Sequence, residues 1–348
     1  MIAPALLIDV EHDADVGAAR RAAVVLAGEA RFGEERTSDV ALVVTELAQN
    51  IVKYGSHGGV LLSLTHDATA RTQATGLVIQ AWDRGQGMDV AESLTDGTST
   101  SGTRGVGLGA VARIASKWDA YAMPGMGSVV AASIYPRAGD AREHSARRFD
   151  AAHGDRVLVG AVCLPYPGEQ VCGDGWDART IGDTILVAVC DGLGHGVGAC
   201  EATAAVLTAF RNATTESPAT LVDVAHGAAR PTRGVAATFA KVDLARGEIT
   251  VAGVGNVTPW IVRSGELKQL VTQHGTLGQT PVRAREELYE FPRGSSLVIA
   301  SDGLKSRLDL SNHPGLFSRH PSTIAATLWR DFARGKDDAT VVVLREAT

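Results

Sequence analysis

No apolar run in this sequence approaches the ~18 to 20 residues that a membrane-spanning helix requires. The apolar start, Met1 to Val10, has no basic segment before it and no small-residue cleavage site after it, so it reads as a first strand rather than a secretion signal. A cytoplasmic location is the expectation. Cysteine is scarce: Cys163, Cys172, Cys190 and Cys200 stand singly inside apolar stretches, without CxxC pairs. That spacing argues against a structural zinc or redox motif and predicts buried free thiols. Positive charge is in short supply as well. With 33 Lys and Arg against 39 Asp and Glu, the net charge is -6, so the basic face that a nucleic-acid binder needs is missing. Internal repeats are absent too. What remains, 45% hydrophobic and 21% charged residues over 348 positions, describes a globular protein long enough for two cores.

The stretch Pro136 to Gly154, with Arg137, Asp140, Arg142, Glu143, Arg147 and Arg148, breaks the apolar periodicity on both sides and is the natural linker. It gives a first domain at 1–137, a linker at 138–154 and a second domain at 155–348, with the midpoint near residue 145. In the first domain Asp15 to Ala30 has alanine-rich helical spacing. Thr37, Ser38 and Asp39 offer N-caps for a second helix that ends at Gly55. Strands are predicted at Val60–Leu64, Gly76–Trp82, Trp118–Ala122 and Ser128–Tyr135, and a helix over Val106–Lys117. In the second domain short strands at 156–164, 170–178, 184–190, 235–243, 248–254, 260–262, 287–291, 296–301 and 340–344 accompany helices at 197–211, 221–229 and 321–332. The fold class is α/β (α+β): a small α/β sandwich with a loop at Asp89–Thr103, followed by an α-β-β-α sandwich.

Glu46 and Asn50, four residues apart on one helix face, can point into one pocket. Alone, that spacing is common by chance. Asp83 follows an apolar strand and precedes Gly85 and Gly87, so a carboxylate can accept from an adenine amino group while glycines let the base approach the backbone. Gly105, Gly107 and Gly109, interleaved with Val106 and Leu108, open a helix whose free N–H groups favour phosphate. The order and spacing of the three together carry the signal.

In that order ELAQN, DRGQGM and GTRGVGLG resemble the N box and the two glycine boxes of the GHKL ATPases and kinases, over most of residues 1–135. ELAQNIVKYG and GMGSVV are most similar to the anti-sigma-factor serine kinase branch, the RsbT-like kinases. The resemblance implies ATP with Mg2+, Asn50 as metal ligand, Glu46 as the carboxylate that orients or deprotonates the attacking hydroxyl, Asp83 on adenine and Asp89–Thr103 as the ATP lid. His57 reads as an ordinary loop histidine.

In the second domain four carboxylates stand at strand ends beside glycine or a turn: Asp174 in GDGWD, Asp191 in DGLGHG, Asp302 in SDGL and Asp337 in DDATVVV. Any one is also what a strand-end turn favours. Oxygens held by several strands can together bind two divalent ions. The four motifs resemble the PPM-type phosphatases of the SpoIIE family from about residue 156 to 346, and most of all the RsbX-like members. That implies Asp174, Asp191, the Gly192 carbonyl, Asp302 and Asp337 as Mn2+ or Mg2+ ligands, with Asp177 and Asp338 behind them. His195 either contacts the substrate phosphate or is structural at a helix start. Gly255 and Asn256 read as a turn.

The function expected is a bifunctional partner-switching regulator that phosphorylates and dephosphorylates Ser or Thr of a STAS-domain protein, an anti-sigma antagonist or stressosome component. Two alternatives stand beside it. One is a metal-dependent phosphatase whose N-terminal domain senses ATP or binds an anti-sigma factor. The other is a non-catalytic interaction module.

Overall fold

A computed structural model of the chain describes residues 5–66, 75–90, 107–136, 157–181 and 184–347. The linker and most of the lid segment lie outside them. The chain divides into two compact units, one formed by Ala5–Gly154 with Ser318–Thr327, the other by Asp155–Phe317 with Leu328 onward.

In the first unit β1 (Leu6–Val10), β2 (Gly58–His66), β3 (Thr75–Asp83), β4 (Lys117–Met123) and β5 (Gly127–Ile134) form an antiparallel sheet in the order β1-β2-β3-β5-β4. Helices α1 (Asp13–Glu29), α2 (Glu34–Tyr54) and α3 (Gly107–Ile114) share a core with it. Alanines at 19, 23 and 27 recur every fourth residue along α1 and are fully buried, letting α1 lie close to its neighbours. Along α2, Val40, Val43, Val44, Leu47, Ala48 and Ile51 make the buried stripe. Each fully buried large aliphatic there contributes roughly 1.5–3 kcal/mol relative to exposure.

The start of α2 differs from expectation. Gly33 is its N-cap, and Thr37, Ser38 and Asp39 lie inside the helix. Glu34 and Glu35 occupy the first turn, where carboxylates suit the helix dipole. The Ser38 hydroxyl turns back to the Glu34 carbonyl (3.0 Å), and Asp39 pairs with Arg36 at 2.9 Å. Arg36, itself buried, also donates to the carbonyls of Tyr135 (2.9 Å) and Ile114 (3.0 Å). It thereby ties α2 to the end of β5 and the last turn of α3. Gly55 caps α2 as expected.

The second unit stacks two antiparallel sheets. One runs β13-β10-β9-β8-β7 and the other β12-β11-β14-β15-β6. Their strands are β6 (Val157–Leu164), β7 (Asp174–Ile181), β8 (Thr184–Gly192), β9 (Val235–Asp243), β10 (Glu248–Val254), β11 (Thr258–Arg263), β12 (Glu266–Gln269), β13 (Glu287–Glu290), β14 (Ser296–Ala300) and β15 (Ala339–Glu346). The continuous apolar run in β8 has a simple cause. Ile185, Val187 and Val189 face the second sheet, while Leu186, Ala188 and Cys190 face α4 (Val197–Asn212) and α5 (Pro218–Ala229), so neither face meets water. α6 (Pro321–Phe332) lies between β14 and β15 in sequence, and its end is tied back by the Lys305 N–H to the Phe332 carbonyl at 2.9 Å. The cysteines are free thiols. Cys163, Cys172 and Cys190 are buried, whereas Cys200, expected to be buried, is partly exposed because it sits on the first turn of α4.

Candidate functional sites

In the first unit Glu46 and Asn50 are half-buried at the margin of the apolar stripe of α2, one turn apart. Glu46 Oε2 accepts from the Gly107 N–H at 3.1 Å, joining the helix to the opening of α3. Gly105 and Val106 lie outside the described residues, as does most of the Asp89–Thr103 lid. Leu108 and Gly109 are buried, Leu108 as part of the core, so the loop is anchored by a side chain while its backbone faces the α2 carboxylate.

At the end of β3, Asp83 Oδ1 accepts from the Gly85 N–H at 2.7 Å, and its other oxygen takes the hydroxyl of Ser128 on β5. The glycines here are set by close approach. Gly87 has φ +80°, and a Cβ there would come within 2.5 Å of the Met123 carbonyl. A Cβ on Gly85 would meet the Tyr54 carbonyl at the end of α2, also at 2.5 Å. The Asp83 loop and the helix bearing Asn50 are thus packed together. The His57 side chain lies near Glu11 (3.4 Å) and edge-on to Trp82, while its carbonyl accepts from the Arg84 N–H of this loop at 2.8 Å.

In the second unit the ladder places Asp174 directly opposite Asp191 on β7 and β8. Asp302 follows β14, and Asp337 and Asp338 precede β15. Asp174 is buried and accepts from the Ser301 hydroxyl at 2.6 Å. Asp302 Oδ2 accepts from the Asn256 amide at 2.6 Å. Asp338 is buried, with Oδ1 on the Tyr166 N–H (2.8 Å) and Oδ2 without a hydrogen-bond partner among the described residues. A Cβ on Gly303 would lie 2.0 Å from the Asp338 carbonyl, so only glycine lets these two loops meet.

The electrostatics are those of crowded carboxylates. Burial first, then the charges of Asp174, Asp302, Asp337 and Asp338, push Asp191 up to about 9. Burial likewise holds Asp174 well above the usual carboxylate range, and burial with Asp302 raises Asp337. Among the described residues no three acidic, histidine or cysteine side chains converge into a finished metal cage. The set nevertheless fits hard divalent cations in its chemistry: raised carboxyls at Asp174, Asp191 and Asp337, and a buried Asp338 oxygen without a donor among the described residues, are what such ions offset. Asp177 belongs elsewhere, paired with Arg211 of α4. His195 Nδ1 lies 2.9 Å from Glu169 Oε1, with its ring stacked on Tyr166 at 4.5 Å.

Ser128, Ser301 and Asn256 partner the acidic residues without a signal of that role in the sequence. Ser301 and Ser128 are inside recognisable motifs, but Asn256 reads as turn chemistry until β11 and β14 are seen to pair from Thr258 and Ala300.

The family model "Histidine kinase-like ATPase domain" matches residues 11–133, and "Stage II sporulation protein E (SpoIIE)" matches residues 181–346. The serine/threonine-protein kinase RsbT of Bacillus subtilis (strain 168) is 32% identical over 119 residues, 34% of this chain and 86% of that protein. Phosphoserine phosphatase RsbX of the same strain is 29% identical over 143 residues, 40% of this chain and 71% of that protein. A solved structure from work on the bacterial stressosome as a modular system adapted to control secondary messenger signaling has a TM-score of 0.50. It shows 25% identity and covers 55% of this chain and all of that one. The chain therefore belongs to the histidine-kinase-like ATPases through its N-terminal part and to the SpoIIE phosphatase family through its C-terminal part, a fusion of an RsbT-like with an RsbX-like domain.

Proposed function

We propose that this chain is a bifunctional partner-switching regulator, adding phosphate to Ser or Thr of a STAS-domain protein at its first unit and removing it at its second. The observation that carries the reading is the acidic edge of the second unit, where Asp174 and Asp191 stand opposite each other and share a field with Asp302, Asp337 and Asp338. Carboxylates crowded in this way suit metal-dependent hydrolysis of a phosphate ester. Asp174, Asp191, the Gly192 carbonyl, Asp302 and Asp337 would hold Mn2+ or Mg2+, which when bound would neutralise phosphate charge and acidify a water. The chain's own contribution is to fix the ligand oxygens: Ser301 orients Asp174, Asn256 orients Asp302, and the Asp338 N–H donates to Asp337 at 3.0 Å.

For the first unit the same proposal assigns ATP with Mg2+ to Asn50, Asp83, Gly85, Gly87, Gly105, Val106, Gly107, Leu108 and Gly109. Glu46 would orient the acceptor hydroxyl. Phosphoryl transfer asks chiefly for positioning and charge neutralisation, which this small set can supply. The similarity to RsbT and RsbX, named as a kinase and a phosphoserine phosphatase, supports opposed activities. The domain limits proposed are 1–137 and 155–348, with 138–154 between them.

One observation favours a second reading, a phosphatase whose first unit senses ATP. Glu46 is engaged by the Gly107 N–H, which competes with service as a base. Labelled ATP, Mg2+ or Mn2+ and a STAS-domain protein encoded beside this chain separate the two. Label gained, then lost in a metal-dependent way after ATP is removed, is the expected result. Loss from pre-phosphorylated protein without any gain would select the sensor reading, and neither would leave a binding module.

A further inference from the structure

One cation of the second unit has no part in what has been described so far. Arg233, in the turn between α5 and β9, is exposed and donates from Nη1 to the Leu193 carbonyl at 3.2 Å. Its place is set by the sheet. Asp191 pairs with Ala236 and Gly192 with Val235, and the Leu193 N–H continues the ladder to the Gly234 carbonyl at 3.0 Å. Arg233 follows next, at the same sheet edge as Asp191. Its guanidinium lies flat against Gly198 in the first turn of α4 and beside Gly194. A Cβ on Gly198 would fall 2.5 Å from Nη2 and 2.8 Å from both Cζ and Nε.

Arg233 stands three residues before Ala236, the ladder partner of Asp191. Among the described residues no carboxylate pairs with Arg233. The two glycines receive the planar group and hold it back, and a single carbonyl uses only one of its five N–H donors. A phosphate dianion approaching this acidic edge is repelled by it, and Arg233 is a positive group that the ladder sets at the same sheet edge. Leu193 and Val197, apolar yet 45% and 65% exposed, flank the same loop.

We propose that Arg233 is the substrate-phosphate receptor of this site. A phosphoserine or phosphothreonine of a protein substrate would place its phosphate against the guanidinium fork and its neighbouring residues against Leu193 and Val197. The inference rests on the reading of the second unit as a phosphatase. A bidentate, charge-assisted contact accounts for the arginine, since lysine would keep the charge and lose the fork.

The test uses the full chain with Mg2+ and three variants: Arg233→Ala, Arg233→Lys and Gly198→Ala. The last leaves the arginine in the sequence but fills the space its guanidinium occupies, and alanine favours a helix over glycine, so the fold is retained. Turnover of a phosphoserine peptide gives KM and kcat, calorimetry gives the affinity for inorganic phosphate, and thermal melting reports folding. For Arg233→Ala and Gly198→Ala we expect KM and the phosphate Kd to rise about 10- to 100-fold with kcat changed far less, and Arg233→Lys to fall between. Unchanged KM and phosphate affinity in Arg233→Ala would overturn the proposal. So would a lowered melting point in Arg233→Ala with an unaltered Gly198→Ala, which would make the arginine a mere tie to Leu193. If the wild-type chain hydrolyses nothing, the phosphatase reading fails by itself, and calorimetry still decides: phosphate binding that depends on Arg233 keeps the anion site, and binding that does not, or none, removes it.

Discussion

Asp191 faces Asp174 across two strands and feels three further carboxylates, so in the absence of a cation its ionised form is opposed by burial and by like charge. A single substitution separates that repulsion from its purpose. Asp191→Asn replaces a carboxyl that burial and its neighbours force to take up a proton with a neutral amide of nearly the same volume, and should raise the melting point of the metal-free protein. It should also abolish stabilisation by Mn2+ or Mg2+. For the wild-type chain a cation at 100 times its Kd contributes about 2.7 kcal/mol, or roughly 5–10 °C for a unit of this size. A calorimetric scan with and without metal checks both parts, and a metal shift that survives in Asp191→Asn would strike this residue from the ligand set. Such residues are legible in sequence because GDGWD, DGLGHG, SDGL and DDATVVV each mark themselves locally. Arg233 and Asn256 are not, since their meaning depends on which strands pair. Arg233 gains its place from the β8–β9 ladder, and Asn256 from the pairing of β11 with β14, and no local composition encodes either.

At the scale of elements, most helices and strands follow from period alone, and the departures have causes. Thr37, Ser38 and Asp39 are good caps by sequence, yet Arg36, buried with four partners, draws the start of α2 back to Glu34. β12, ELKQ, is only four residues long, too short for a pattern of its own, and exists through pairing with β11. The end of α6 shows the opposite case, a local anomaly with a tertiary reason. Asp331 sits in the last turn, where the helix dipole disfavours it. It is held by His313 Nε2 at 2.9 Å and by Arg330 at 2.9 and 2.7 Å, all three side chains nearly buried. Burial alone would raise this carboxyl, but the hydrogen bonds from His313 and Arg330 bring it down to about 2. A carboxyl depressed on folding adds stability that is complete above its unfolded value of about 4 and is lost as pH falls toward 2. Urea unfolding of the second unit between pH 5 and pH 2, as chosen conditions, should therefore show a decline that Asp331→Ala flattens. At neutral pH the variant should be less stable, because buried His313 and Arg330 both lose the hydrogen bonds of the Asp331 carboxylate. Parallel pH curves for the two proteins would mean that the cluster carries no such linkage.

For the whole molecule, one chain holds two compact units, and no described helix is long and apolar enough to cross a membrane. In the bifunctional reading proposed above, joining a writer and an eraser of phosphate would raise the effective concentration of each at whatever scaffold the other has reached. The proposal requires that the chemistry of each unit be separable from the other's, and two substitutions test it together. Glu46→Ala removes the carboxylate that accepts from Gly107 and should abolish label gain by a STAS-domain protein while leaving ATP binding largely intact and dephosphorylation untouched. Asp191→Asn should do the reverse, so that label accumulates and persists once ATP is removed. The double variant should be inert in both directions yet melt as a folded protein. If Glu46→Ala also stopped dephosphorylation, the acidic edge of the second unit would depend on the first for its function, and the account of two self-sufficient sites would give way to one in which ATP occupancy gates hydrolysis. If it instead abolished ATP binding, Glu46 would be holding the phosphate loop in place through Gly107 rather than acting on the acceptor hydroxyl.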